Sequence, residues 1–125
     1  MIELHQVAQR AKDLDRAVEF YTTVLGGELI ARFEPPGLAF IRLGSARLLL
    51  EQSAPSALIY LRVPDVRESV SQLREDGVNI DTMPHLVYVD TDGSFGEKGV
   101  EEWMAFIRDS EDNLVGLASR HAPTS

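Results

Sequence analysis

The sequence predicts an α+β fold: two tandem βαβββ modules forming a curved, cup-like mixed β-sheet with helices on the outside. Three observations predict it. The order strand, helix, three strands is read twice along the chain. The two helix entrances match locally, Ala11-Lys12-Asp13-Leu14-Asp15-Arg16-Ala17-Val18 against Val63-Pro64-Asp65-Val66-Arg67-Glu68-Ser69-Val70, which reads as a diverged internal duplication. Each half has about four strands and one helix, too little to bury both faces of a sheet alone. Two halves, in one chain or across a dimer, can curl into a shared cup, and a concave sheet interior is a natural small-molecule site. One domain over 1–125 is expected, with module 1 at about 1–53 and module 2 at about 56–120.

The elements follow in order. A first strand runs from Ile2 to about Ala11, part apolar and part polar, as for a strand with one buried face. Asp13 is a natural N-cap. Leu14, Ala17, Val18, Tyr21 and Leu25 then make one apolar helical stripe, and Gly26-Gly27 stops it. Strands Glu28–Phe33, Gly37–Leu43 and Ala46–Gln52 are divided by Pro35-Pro36-Gly37 and Gly44-Ser45, which are turns. The second half opens with strand Ala57–Val63. Asp65 caps a helix with Glu68 three residues on, a capping-box arrangement. Val66, Val70 and Leu73 form its buried face, and Gly77 ends it. Strands Val78–Val89, Trp103–Arg108 and Asn113–Ala118 complete the module, and the tail from Arg120-His121 is expected to fray.

Composition narrows the function. The 125 residues carry a net charge of −8, and 44% are apolar, enough for one core. An acidic chain is a poor binder of nucleic acid or of an anionic membrane surface. There is no cysteine, hence no disulfide, thiolate nucleophile, zinc–thiolate site or iron–sulfur cluster. No apolar run approaches the roughly 18–20 residues of a membrane span. Met1-Ile2-Glu3-Leu4-His5 does not look like a signal peptide, so a cytoplasmic location is expected.

Two stretches carry a family likeness. Gln6-Val7-Ala8-Gln9-Arg10-Ala11-Lys12-Asp13-Leu14-Asp15-Arg16-Ala17, followed by Phe20-Tyr21 and Val24-Leu25-Gly26, resembles the opening of the glyoxalase / bleomycin-resistance / dioxygenase superfamily, the vicinal oxygen chelate proteins. Phe106-Ile107-Arg108-Asp109-Ser110-Glu111-Asp112-Asn113-Leu114-Val115 is similar to its closing strand turn, with Ser110 where proline is usual and Asp112 where glycine is usual. The likeness spans nearly the whole chain. It implies the fold, a homodimer and a small-molecule ligand. It does not choose a reaction, because members include isomerases, lyases, epimerases, dioxygenases, thiol transferases and drug-sequestering proteins.

The resemblance also implies a divalent metal held from the first and last strands of each half. In the first half, Gln6 stands where histidine is typical and glutamine occurs in some glyoxalases, and Glu51 ends the last strand as the expected carboxylate. In the second half, Leu58 cannot ligate, and Gly116 stands where a glutamate would be both ligand and base. A lactoylglutathione lyase relying on that glutamate is therefore not expected.

The residues suggest replacements. His5 and Gln6 are adjacent and point to opposite faces of a strand, so both cannot face one cup unless a bulge intervenes. Gln6 has the family position, His5 has the better ligand chemistry, and the other reading is a hydrogen bond within the dimer or helix layer. His85, after Pro84 and heading an apolar strand, is a candidate third ligand. Glu51, or Glu102 in place of the carboxylate lost at Gly116, is the candidate catalytic base. Tyr60, Tyr88, Trp103 and Phe106 are candidate pocket walls. A metal on His5 or Gln6, Glu51 and His85 would keep open positions, and N and O ligands suit Zn, Ni, Mn or Fe(II) alike. Asp90-Thr91-Asp92-Gly93-Ser94-Phe95 is not a calcium loop, since Phe95 takes the required glycine's place. The leading expectation is a metal-dependent enzyme acting on a small oxygen-chelating substrate by isomerase, epimerase, lyase or dioxygenase chemistry. The alternative is a metal-free protein that binds and sequesters an antibiotic, for which a cationic drug would suit the net charge.

Overall fold

The computed structural model describes residues 4–122. The expected strand start at Ile2 and the tail residues Pro123, Thr124 and Ser125 lie outside the described residues. The elements are β1 Gln6–Arg10, α1 Leu14–Glu19, β2 Glu28–Phe33, β3 Leu38–Leu43, β4 Ala46–Glu51, β5 Ile59–Arg62, α2 Val66–Glu75, β6 Ile80–Asp90, β7 Val100–Arg108 and β8 Leu114–His121. This is βαβββ twice, as two four-stranded mixed sheets that do not close. The chain divides into two compact units.

The first unit comprises the residues up to Ala57 together with Asp109–Asn113. Its sheet has the order β1-β4-β3-β2, with β1 parallel to β4 and the other pairs antiparallel. Side chains alternate between faces. Ala39, Ile41, Leu48 and Leu50 are buried on one face with Gln9, and α1 packs against β3 and β4. Asp13 caps α1 through a 3.1 Å bond from the Arg16 N–H. The helix does not run regularly to Leu25. A π-helical turn, Phe20–Val24, takes over after Glu19, which buries Phe20 and Tyr21 beside Ala17 and leaves Val18 half-buried.

Asp109 organises the closing turn of this unit. It is buried, and it accepts from the Tyr21 hydroxyl at 2.7 Å, from the Glu111 and Asn113 N–H groups at 2.8 Å each, and from Asn113 Nδ2 at 2.9 Å. A buried carboxylate survives only when its lone pairs are satisfied in this way. Beside it, Glu111 accepts from the Asp13 N–H at 2.6 Å and from Arg16 Nε at 2.7 Å.

The second unit comprises Leu58–Arg108 and the chain from Leu114. Its sheet has the order β5-β8-β7-β6, with β5 parallel to β8. Val66, Val70 and Leu73 of α2 are buried, as their spacing predicts, along with Ala105, Ile107, Val115 and Leu117. Asp65 caps α2, but it accepts from the Arg67 N–H at 2.9 Å rather than from Glu68. β8 runs further than expected: His121 pairs with Glu101 and lies 2.7 Å from Ser119 Oγ, so it is part of the sheet and not a frayed tail.

Candidate functional site

In the first unit, β1 and β4 run in parallel, with Gln6 opposite Arg47 and Arg10 opposite Glu51. The residue facing Gln6 across the ladder is therefore an arginine. Arg47 Nε donates to Gln6 Oε1 at 3.0 Å, and Arg47 Nη2 lies 2.7 Å from His5 Nε2. A guanidinium only donates, so His5 Nε2 is the acceptor in this contact. The guanidinium also sits 5.2 Å from the Phe40 ring centroid. Glu51 is four residues further along β4, roughly 13 Å at the ordinary strand rise, and it accepts from Ser53 Oγ at 2.8 Å. Gln6 and Glu51 share a face without meeting, whereas His5 and Gln6 do come together, on Arg47.

In the second unit, Tyr60, Gly116 and Phe106 stand in one row across β5, β8 and β7. The two rings meet edge to face at 5.9 Å between centroids. A Cβ on Gly116 would lie 2.6 Å from Tyr60 Cδ2 and 3.2 Å from Phe106 Cε1. The rings thus occupy the space a side chain at 116 would need. Met104 pairs with Ala118 and with His85, and Glu102 pairs with Arg120 and with Tyr88, continuing the same face. His85 Nδ1 lies 3.0 Å from the carbonyl of Met83 in its own strand.

Glu102 stands 4.0 Å from Arg120 Nε. Burial first, and then the Glu102 carboxylate it hydrogen-bonds, push the Tyr88 hydroxyl's pKa up. Arg120 Nη2 donates to the buried Asp90 at 2.8 Å, and Asp90 Oδ2 also accepts from the Phe95 N–H at 3.1 Å. These bonds anchor the loop between β6 and β7.

Trp103 departs from expectation as a pocket wall. It lies on the opposite face of β7, with Ala105 and Ile107, and Arg67 of α2 stacks on it at 5.1 Å. The strand period that puts Phe106 on one face puts Trp103 on the other. An open groove of about 610 Å³ between α2 and β6 is lined by residues including Arg67, Val70, Arg74 and Met83, and none of the expected site residues borders it. Of the expected walls, Tyr60 and Phe106 meet each other, and Tyr88 continues their face.

The model of the Glyoxalase/Bleomycin resistance protein/Dioxygenase superfamily matches residues 3–117. The chain belongs to this superfamily. Solved structures share the superfamily fold. Lactoylglutathione lyase from Agrobacterium tumefaciens is 22% identical, with a TM-score of 0.71 and coverage of 95% of this chain and 94% of that one. TnmS3, an antibiotic binding protein from Streptomyces sp. CB03234, is 20% identical, with a TM-score of 0.69 and coverage of 99% and 98%. A superfamily member from Sphaerobacter thermophilus is 16% identical, with a TM-score of 0.72 and coverage of 95% and 98%. Comparison with curated protein sequences gives no match.

Members of this superfamily commonly use divalent metals, and the donors among the described residues do not fit one. Among the described residues, no three His, Asp or Glu side chains gather to hold a metal ion. Gln6 and His5 turn their acceptor atoms to a permanent cation, Arg47. In the second unit, Leu58 has no donor atom, and the rings of Tyr60 and Phe106 crowd Gly116. Sequence spacing could not show this, because which residue faces Gln6 depends on the β1–β4 register, a non-local pairing.

Proposed function

We propose that this superfamily member binds a small aromatic molecule non-covalently, without a metal and without converting it. The observation that carries this reading is the Tyr60–Phe106 pair over Gly116. Where the resemblance expects a ligating, proton-moving glutamate, the chain presents an aromatic surface instead. Tyr60 is 53% exposed, so its ring offers a free face for stacking at little entropic cost. Met104 lies next along the strand and adapts to ligand shape. The Tyr88 hydroxyl gives its one proton to the Glu102 carboxylate, which leaves its oxygen to accept a hydrogen bond from a ligand. The carboxylate of Glu102, expected as a base, is engaged with Arg120 and Tyr88.

A set of flat, fused-ring compounds screened by protein-observed NMR tests the reading. The expected hits shift the resonances of Tyr60, Met104 and Phe106, weaken about tenfold or more in Tyr60→Ala, and are recovered chemically unchanged. Consumption of a hit would make the protein an enzyme. Homodimerisation belongs to the same reading and is supported by exposed apolar residues on the edge strand β6, such as Met83, Leu86 and Val87; light scattering measures it.

A further inference from the structure

In the first unit, one cation is prepared in a way the others are not. The chain is acidic, and Arg16, Arg32, Arg42, Arg67, Arg108 and Arg120 each have a carboxylate partner. Arg47 has no carboxylate partner among the described residues, and neither do Arg10, Arg62 and Arg74, but of these four only Arg47 has its guanidinium held there by other side chains. It is instead held by two acceptors that are not carboxylates, the Gln6 amide oxygen and the His5 imidazole, and it lies over Phe40. Of its five N–H donors, one goes to Gln6 and one to His5, which leaves three free. A guanidinium that is fixed and half-buried yet lacks a counterion is a preorganised receptor for an oxyanion.

The surroundings define the rest of the ligand. Phe40 meets Phe33 edge to face at 6.0 Å, and Phe33 is 51% exposed. Leu49 pairs with Phe40 on the same face. The net charge of the whole chain predicts the opposite preference, for cations, but Arg10, Arg42 and Arg47 share this face with only Glu28 and Glu51. Local field decides binding at contact distance, where screening leaves distant charges little influence.

We infer that Arg47, positioned by His5 and Gln6, binds the oxyanion of an aromatic acid whose ring lies along Phe40 and Phe33. This rests on the metal-free reading, since a metal on Gln6 would displace the arginine. The ligand's acid is a carboxylate or a phosphate, and the two are separated by experiment. Titrate the full chain with benzoate, with phenyl phosphate and with neutral benzamide, following the Arg47 Nε–H and backbone resonances by NMR. One of the acids is expected to bind about tenfold or more tighter than benzamide. That preference is expected to disappear in Arg47→Met, which keeps the apolar stem, and to return in part in Arg47→Lys.

The better acid identifies the oxyanion. Equal binding of benzamide, undiminished acid binding by a folded Arg47→Met protein, or no shift with either acid would each overturn the inference. Those results leave aromatic binding at Tyr60 intact, whereas uptake of a metal would remove the reading beneath it.

Discussion

Gly116 lacks a side chain because two rings stand where one would be. Gly116→Ala must push Tyr60 aside, since its Cβ would come within 2.6 Å of the ring. The expected cost is about 1–3 kcal/mol by denaturant unfolding. In a Tyr60→Ala background the same change should cost much less, because the clash partner is gone; a double-mutant cycle measures that coupling. Equal costs in both backgrounds would remove Tyr60 as the reason for glycine. Tyr21 gives the second prediction at this scale. Tyr21→Phe leaves the buried Asp109 one donor short and should cost about 1–3 kcal/mol. The sequence showed both residues, Gly116 as a departure from the resemblance and Tyr21 as part of the helical stripe. It did not show what fills the space at 116, because Tyr60, Gly116 and Phe106 come from three strands brought into line by register. The same gap in local information hid Arg47, which faces Gln6 only through the β1–β4 register.

The elements were the most legible part. Apolar spacing located both helices, and glycine and proline located the turns. Periodicity could not show that α1 gives way to a π-helical turn that buries Phe20, because tertiary packing decides that. Nor could it say which face of β7 meets α2, so Trp103 and Phe106 looked like equal candidates for one pocket. The short α2 depends on its cap. Asp65→Ala removes the 2.9 Å acceptor of the Arg67 N–H and should lower stability by about 1 kcal/mol, read as a lower Tm. Asp65→Ser should restore most of it.

Whole-molecule stability should fall at both ends of the pH scale, for reasons tied to one turn. Burial opposes ionisation of Glu111, but the Arg16 guanidinium and the Asp13 N–H outweigh it and hold the pKa below the ordinary value of 4.5. Below pH 4.5 the unfolded chain takes up this proton before the folded one, so stability is lost as pH falls from there. Glu111→Gln should flatten that limb of a Tm–pH curve. Tyr21 acts with the opposite sign. Burial, and then Asp109, push its hydroxyl pKa up from 10.0, so stability should fall as pH rises above that value, and Tyr21→Phe should remove this loss.

The fold class and superfamily were readable from patterning and two motifs, whereas function rests on which donors the fold brings together. Elemental analysis of untagged, chelator-free protein, followed by reconstitution with Zn, Ni, Mn and Fe(II) in turn, tests that most directly. The account predicts no saturable metal binding, and metal content unaffected by Glu51→Gln or His85→Ala. One tightly held metal per chain, lost in those variants, would contradict it and return the protein to metal-dependent chemistry.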